Sequence, residues 1–199
     1  MTQDYFESGS EIENYLRDLR SYRSLVRSLT RDAIVQSSHI EALQNALQDH
    51  PQPVTATAHT EGWCGDWACN LPILRSLFRE TNVPFRVFDE EHHPELKEHY
   101  RLEGTVHIPV VSLWDGEGKE IGRWVEAPET VAPLKTEWKE RNPRLMELYA
   151  KKAQDPEAEK EFAKLYRKFL EDMSVWYRDE GKWNDTIEEI IALAEKGKK

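Results

Sequence analysis

A cysteine stands at the junction between a predicted strand and a predicted helix, and this junction constrains the fold most. The segment reads Trp63-Cys64-Gly65-Asp66-Trp67-Ala68-Cys69. Residues 54–59 alternate as a strand does, whereas apolar residues between 68 and 79 recur at helical spacing. Because backbone amides and the macrodipole at a helix start favour a thiolate, the pattern predicts a strand–turn–helix unit with Cys64 exposed to solvent at the positive end of the helix.

Outside this junction the chain alternates predicted helices and strands. A capping box from Ser10 to Glu13, followed by apolar residues at spacings of three and four, predicts one amphipathic helix from Ser10 to about residue 29. A turn at 115–118 predicts an antiparallel hairpin. The other predicted helices span 38–47, 94–100, 130–141, 144–152, 156–177 and 186–196, and the other predicted strands span 83–88, 108–114 and 120–124. Strands separated by helices and followed by a hairpin indicate an α/β fold with a mixed sheet.

Length and charge narrow the classes of protein. The 199 residues predict a single domain over 1–199, with a core at about 50–142 and helical extensions at 1–49 and 143–199. A formal charge of −10 disfavours nucleic acid and anionic lipid as partners. The chain has neither an apolar run long enough for a membrane span nor a secretory leader pattern, which predicts a cytoplasmic protein. Two nearby cysteines then indicate redox chemistry or metal binding, or are two incidental thiols.

Several motifs together give the chain a family resemblance. Trp63-Cys64-Gly65-Asp66 starts the helix, Pro72 interrupts that helix, Ile108-Pro109 opens a strand, and Gly122-Arg123-Trp124 follows the hairpin. This set resembles thioredoxins, and in particular a bacterial thioredoxin-like family with a Trp-Cys-Gly-Asp-Cys motif. The resemblance implies a thioredoxin-like fold with a central mixed sheet flanked by helices and extra N- and C-terminal helices. It also implies a cis proline at 109 facing Cys64, and thiol–disulfide oxidoreductase activity.

The chain departs from the family pattern at one chemical step. Trp67 occupies the position of the second, resolving cysteine, and Ala58 occupies the position of a buried acid that serves that cysteine. Cys69 could resolve only if the first helical turn unwinds, because five residues of intact helix separate two Cα atoms by roughly 9 Å and a disulfide tolerates about 7 Å. Otherwise Cys69 is a buried, inert thiol. Some peroxiredoxins use the same Cys-x-x-x-x-Cys spacing, but Glu61 stands where their threonine is expected.

The sequence therefore predicts a thioredoxin-like oxidoreductase variant, and a redox-inactive binding module with the same fold is the alternative. The predicted catalytic residues are Cys64 and the conditional resolver Cys69. The predicted substrate-binding residues are Trp63, Gly65, Asp66, Trp67, Ile108 and Pro109. No cofactor or metal is expected, and the expected partner is a protein disulfide or a small-molecule disulfide, with glutathione as one candidate thiol. The oligomeric state is left open.

Histidines enter this prediction in two ways. His59, on the strand before the motif, is either a proton acceptor in place of the missing acid or a strand-end histidine with ordinary partners. His92, His93 and His99 lie on or beside one short helix without carboxylate or thiol partners at metal-ligand spacing, so they are expected at the surface.

Overall fold

The centre of the molecule is a five-stranded mixed sheet. A computed structural model describes residues 1–196. The strands are β1 (Ser10–Glu11), β2 (Thr55–Thr60), β3 (Phe85–Asp89), β4 (Val110–Trp114) and β5 (Glu120–Val125). Their order across the sheet is β1-β3-β2-β4-β5, in which β2 and β3 are parallel and the other neighbouring pairs are antiparallel. The cysteine motif follows β2, the middle strand.

Helices surround this sheet and extend beyond it at both ends of the chain. They are α1 (Gln3–Ser8), α2 (Ile12–Asp18), α3 (Arg23–Asp32), α4 (Ser37–Leu47), α5 (Gly65–Glu80), α6 (Pro94–Leu102), α7 (Ala132–Arg141), α8 (Arg144–Lys151), α9 (Pro156–Arg178) and α10 (Lys182–Lys196). The helix with Pro72 is α5, which begins at the residue after Cys64.

The two faces of the sheet bury different apolar clusters. The larger cluster packs α5 against one face, where Ala58 of β2 and Val111 of β4 meet side chains of α3, α4, α9 and α10. The smaller cluster lies on the other face and joins Val110 to Phe88 and to Tyr100 of α6. Since side chains alternate along a strand, neighbouring residues of β2 and β4 point to opposite clusters. Cys64 belongs to the larger one.

The predicted α/β fold with a central mixed sheet and extra terminal helices is confirmed. Most predicted elements occur within a few residues of their predicted bounds, although α1 and β1 were not predicted. No described helix is both long enough and apolar enough to span a membrane. The extent of the single domain stays a prediction, and the larger cluster draws on residues from Leu19 to Ala194.

The prediction of one continuous helix from Ser10 to residue 29 is wrong. Ser10 lies in β1 and pairs with Val87 of β3, so the capping box does not form. Glu11 precedes α2 without a side-chain cap bond. Tyr22 then has a φ of 54° and lies between α2 and α3. A non-glycine residue in that left-handed region ends one helix direction and starts another, which the apolar periodicity does not reveal.

Candidate functional site

Cys64 caps the N-terminus of α5, as the sequence predicts. Its extended backbone (φ −72°, ψ 119°) ends the turn after β2, and its carbonyl accepts the first helical bond from the Ala68 amide. The Sγ atom donates to the carbonyl oxygen of Ile108 at 3.4 Å. The Ile108–Pro109 peptide is cis, as the resemblance implies. The thiol, the helix start and the cis proline are therefore in direct contact.

The expectation that Cys64 meets solvent is wrong. Only 6% of the residue is exposed, because α9 lies across the start of α5. A Cβ added to Gly65 would come within 2.6 Å of Leu170 Cδ2 and of the Tyr166 hydroxyl. Burial raises the pKa of Cys64 to about 12, against the pull of the Trp67 and Asp66 amides. The helix N-terminus alone does not produce a thiolate here, since desolvation outweighs it.

A buried lysine joins the cysteine turn to α7. Lys135 Nζ donates to Asp66 Oδ2 at 2.9 Å and also to Glu126. Burial disfavours the lysine charge, but the two carboxylates outweigh burial, so the Lys135 pKa is raised. Burial also raises the pKa of Asp66, whose Oδ1 atom has no hydrogen-bond partner in the part of the chain that the structure describes. A charge at Asp66 disfavours a thiolate at Cys64, and Lys135 partly offsets it.

The residues in the two resolving positions are both buried. Trp67 is 1% exposed and its Nε1 donates to the Tyr15 hydroxyl at 3.0 Å. Cys69 is fully buried within α5, and both cysteines are free thiols. Trp183 of α10 donates to the Cys69 carbonyl at 2.9 Å, and the helix continues unbroken from Gly65. Cys69 therefore has the burial of an inert thiol, and its role as a resolver stays a prediction.

His59 lies on the face of the sheet away from Cys64. It pairs with Val110 in β4, and its ring lies 5.6 Å from the Tyr100 ring. The neighbouring Ala58 faces the cluster that contains Cys64. Both ring nitrogens of His59 are buried without a hydrogen-bond partner among the described residues, and burial lowers its pKa. Neither sequence interpretation describes this residue, because its ring has no hydrogen-bond partner within residues 1–196 and the sheet separates it from the thiol.

No described residues form a cluster of three or more metal-ligating side chains. His92 and His99 are exposed and pair with carboxylates of Asp89 and Glu103. His93 is more enclosed and stacks edge-on against the Phe88 ring. These contacts account for the histidines of this region.

An open cleft of about 560 Å³ adjoins the cysteine turn. Of the six predicted substrate-binding residues, only Trp63 and Asp66 line it, and Trp63 is 61% exposed. Gly65, Trp67 and Pro109 are buried, and Ile108 is half-buried on another side. The sequence interpretation missed the rest of the lining. It includes Tyr22, Lys135, Lys139, Tyr149, Lys152, Phe162, Tyr166 and Phe169. The aromatic spacing 162, 166, 169 was the available signal, because it places three rings on one face of α9.

Comparison with known proteins agrees with this fold. A family model described as Thioredoxin matches residues 10–139, so the chain belongs to the thioredoxin family. Membership supports a redox role in general and identifies no substrate.

Two solved structures share the fold. A protein of unknown function, PA1234 from Pseudomonas aeruginosa, is 18% identical with a TM-score of 0.61, and the match covers 96% of this chain and 94% of that one. An HIV 4E10 epitope-scaffold protein is 23% identical with a TM-score of 0.53, over 65% of this chain and 79% of that one. A search of curated proteins gives no match.

Proposed function

We propose that this protein is a thioredoxin-fold binding module in which the Cys64 thiol is silent, that is, protonated and unreactive toward disulfides while the protein is folded. The burial of that thiol supports the proposal, because it holds the Cys64 pKa at about 12. A thiol with such a pKa is almost wholly protonated near pH 7, and the protonated form is a poor nucleophile. Trp63 remains exposed beside it, so a partner has a surface to bind without disulfide exchange.

The burial of the second cysteine in an intact helix also supports a module that does not turn over. Trp67 fills the position of the resolving cysteine, and Cys69 lies five residues along an intact helix. Unwinding α5 between Cys64 and Cys69 would break the hydrogen bond from Trp183 to the Cys69 carbonyl and disturb the buried Asn70. Each buried polar group left without a partner costs about 1–3 kcal/mol. This cost disfavours a Cys64–Cys69 disulfide.

Monothiol exchange by Cys64 is the second candidate, and the position of Cys64 at the N-terminus of α5, in contact with the cis Ile108–Pro109 peptide, favours it. In that scheme α9 moves aside and Cys64 loses its proton to solvent. The thiolate attacks a partner disulfide, forms a mixed disulfide and releases the partner's other sulfur as a thiolate. An external thiol such as glutathione, once deprotonated, attacks the mixed disulfide and frees Cys64. Cys69 takes no part.

Thiol titration separates the two candidates. The native protein, Cys64→Ser and Cys69→Ser would each be mixed with dithiobis-nitrobenzoate, and the released nitrothiophenolate measured before and after unfolding in guanidinium. For a silent module, native release is at least about a thousandfold slower than release from the unfolded chain, since an ordinary thiol pKa is about 8.5. Insulin reduction stays at the rate measured without protein. Rapid native release or insulin reduction that only Cys64→Ser abolishes would establish monothiol exchange, and loss of turnover in Cys69→Ser would establish Cys69 as resolver.

A further inference from the structure

The cleft beside the cysteine turn has walls of aromatic side chains from distant parts of the chain. Trp63 comes from the turn, Tyr22 from the start of α3, and the others from α8 and α9. The rings of Phe162 and Tyr166 are stacked with centroids 5.4 Å apart. A volume of about 560 Å³ lies within the usual range for small-molecule sites. Size and lining therefore fit a ligand with a flat apolar body.

The charges in this cleft do not cancel. Asp66 and Glu126 both pair with Lys135, which accounts for the two carboxylates of the lining. Lys139 and Lys152 also line the cleft, and neither forms an ion pair within residues 1–196. Three lysines against two carboxylates leave a local positive charge in a chain whose formal charge is −10. An anionic group would meet two ammonium groups without a direct ion pair among residues 1–196, of which Lys139 interacts with Asp66 and Glu126 only at longer range.

Aromatic contacts hold one of these ammonium groups at the wall. Lys152 Nζ lies 4.5 Å from the centroid of the Tyr149 ring and 4.4 Å from that of Phe162. Cation–π attraction of this kind stabilises a cation over a ring face. The lysine charge is therefore positioned directly beside apolar surface. A ligand with a flat apolar body and a negative group can contact both at once.

The geometry points to a binding site for a small anionic aromatic molecule, such as an aromatic carboxylate or sulfonate, in the cleft between the cysteine turn and helices α7, α8 and α9. The aromatic walls contact its ring system, and Lys139 and Lys152 bind its anionic group. A cationic ligand of the same shape meets the unpaired ammonium groups and is disfavoured. The site deepens the proposed function, on which it rests, by naming the chemistry that the surface beside Trp63 recognises.

The site can be tested by titrating the protein with anilinonaphthalene sulfonate, an anionic aromatic probe, and measuring the probe fluorescence. We expect saturable binding of one probe per chain, and weaker binding of a naphthalene probe of matched size that carries an ammonium. Lys139→Gln and Lys152→Gln together should raise the probe Kd at least about tenfold, because each removes a direct charge contact. Lys151→Gln is the matched control, since Lys151 is exposed on α8 and does not line the cleft.

The single variant Lys139→Gln gives the clearest test. Lys139 makes no cation–π contact among the described residues, so its replacement leaves the aromatic walls in place. Its thermal unfolding should match that of the native chain while its probe Kd rises. Absence of saturable binding, equal affinity for the anionic and cationic probes, or equal Kd values for the double variant and Lys151→Gln would overturn the site. Thiol titration remains independent: a silent thiol without probe binding refutes the site alone, and a reactive thiol with probe binding refutes the proposed function alone.

Discussion

At the scale of single residues, Gly65 is the point where α9 approaches the start of α5. We predict that Gly65→Ala destabilises the protein by about 1–3 kcal/mol, because the new methyl group would overlap Leu170 and Tyr166. Alanine is otherwise the better helix former, so a loss reflects the close approach. The same variant should speed alkylation of Cys64 by loosening its cover. Denaturant unfolding and iodoacetamide labelling measure the two effects.

Gly62→Ala is the control for that prediction. A Cβ at Gly62 would lie 3.6 Å from Leu19 and 3.9 Å from Tyr15, which are ordinary contact distances. It should therefore leave both the stability and the labelling rate of Cys64 nearly unchanged. If the two variants label at the same rate, contact with α9 does not control access to Cys64.

His59 predicts a loss of stability on mild acidification. Burial lowers its pKa below the ordinary 6.5, so the unfolded chain takes up the proton first as pH falls. His59 then leaves the free energy of unfolding unchanged above about pH 6.5 and lowers it below that pH, by at most about 1.4 kcal/mol per pH unit for one proton. Glu90 and Asp89 raise the His59 pKa while Lys97 and His93 lower it, and burial outweighs their balance.

Replacing His59 by leucine should remove that pH dependence. We expect the free energy of unfolding of His59→Leu to fall less between about pH 7.5 and 5.5 than that of the native chain. Denaturant titrations at several pH values measure the difference. Parallel curves for the two proteins would mean that His59 keeps its ordinary pKa in the folded state.

Sequence reasoning placed Cys64 and Pro109 in the fold but did not predict what surrounds them. The position of Cys64 at a helix start and the proline at 109 follow from local patterns of a few residues. The burial of Cys64 depends on Leu170, more than a hundred residues further along, and local periodicity carries no signal about which helix crosses which. Trp63 was predicted as a substrate-binding residue and lies exposed, whereas the buried Lys135 was not predicted.

At the scale of secondary-structure elements, α5 and α10 are joined by a buried polar network. Asn70 donates to the Tyr177 hydroxyl at 3.0 Å and accepts from the Thr186 hydroxyl at 2.8 Å. It also donates to the Asp66 carbonyl within its own helix. The bonds to Tyr177 of α9 and Thr186 of α10 lie between α5 and the C-terminal helices, so Asn70 links the three helices.

Removing the Asn70 amide should therefore be severe. We predict that Asn70→Ala lowers the free energy of unfolding by about 2–4 kcal/mol, because the buried Tyr177 hydroxyl loses its hydrogen-bond donor and the Thr186 hydroxyl keeps only the longer bond to the Lys182 carbonyl. Asn184→Ala removes an exposed amide from α10 and should change stability by less than about 0.5 kcal/mol. Chemical denaturation of both variants gives the comparison. Similar small losses would show that the network is satisfied in another way.

Helices and strands were predicted correctly where the apolar periodicity agreed with a proline or glycine at the element boundary. The helix from Pro94 and the hairpin near Gly118 each carry a proline or glycine at the boundary, and both occur in the structure. The N-terminal region has unbroken apolar spacing from Ile12 to Leu29, yet the backbone turns at Tyr22. Tyrosine gives no warning of a positive φ, and the pairing of Ser10 with β3 is a long-range event.

At the scale of the whole molecule, the C-terminal helices belong to the main core. Trp183, Ile187, Ile190 and Ala194 of α10 are buried in the same cluster as α5 and the sheet. We predict that a fragment of residues 1–142 lacks a cooperative thermal transition, because removal of α8, α9 and α10 exposes that face to water. Circular dichroism during heating, beside the full chain, measures this.

The fragment also tests the predicted single domain over 1–199. A fragment that melts cooperatively with native-like ellipticity would make 1–142 an independent unit and the prediction wrong. The cytoplasmic location and the disulfide partner stay predictions.

The indole at position 67 makes the missing dithiol difficult to regain. Trp67 meets the rings of Tyr15 and Phe85 edge-on, with centroids 6.1 and 6.3 Å away. Putting cysteine there would empty most of that space, at a loss on the order of 3–5 kcal/mol. That is a large part of the 5–15 kcal/mol that folded domains typically have. Substitutions at neighbouring positions would first have to fill that cavity before a single codon change at position 67 could restore a dithiol pair.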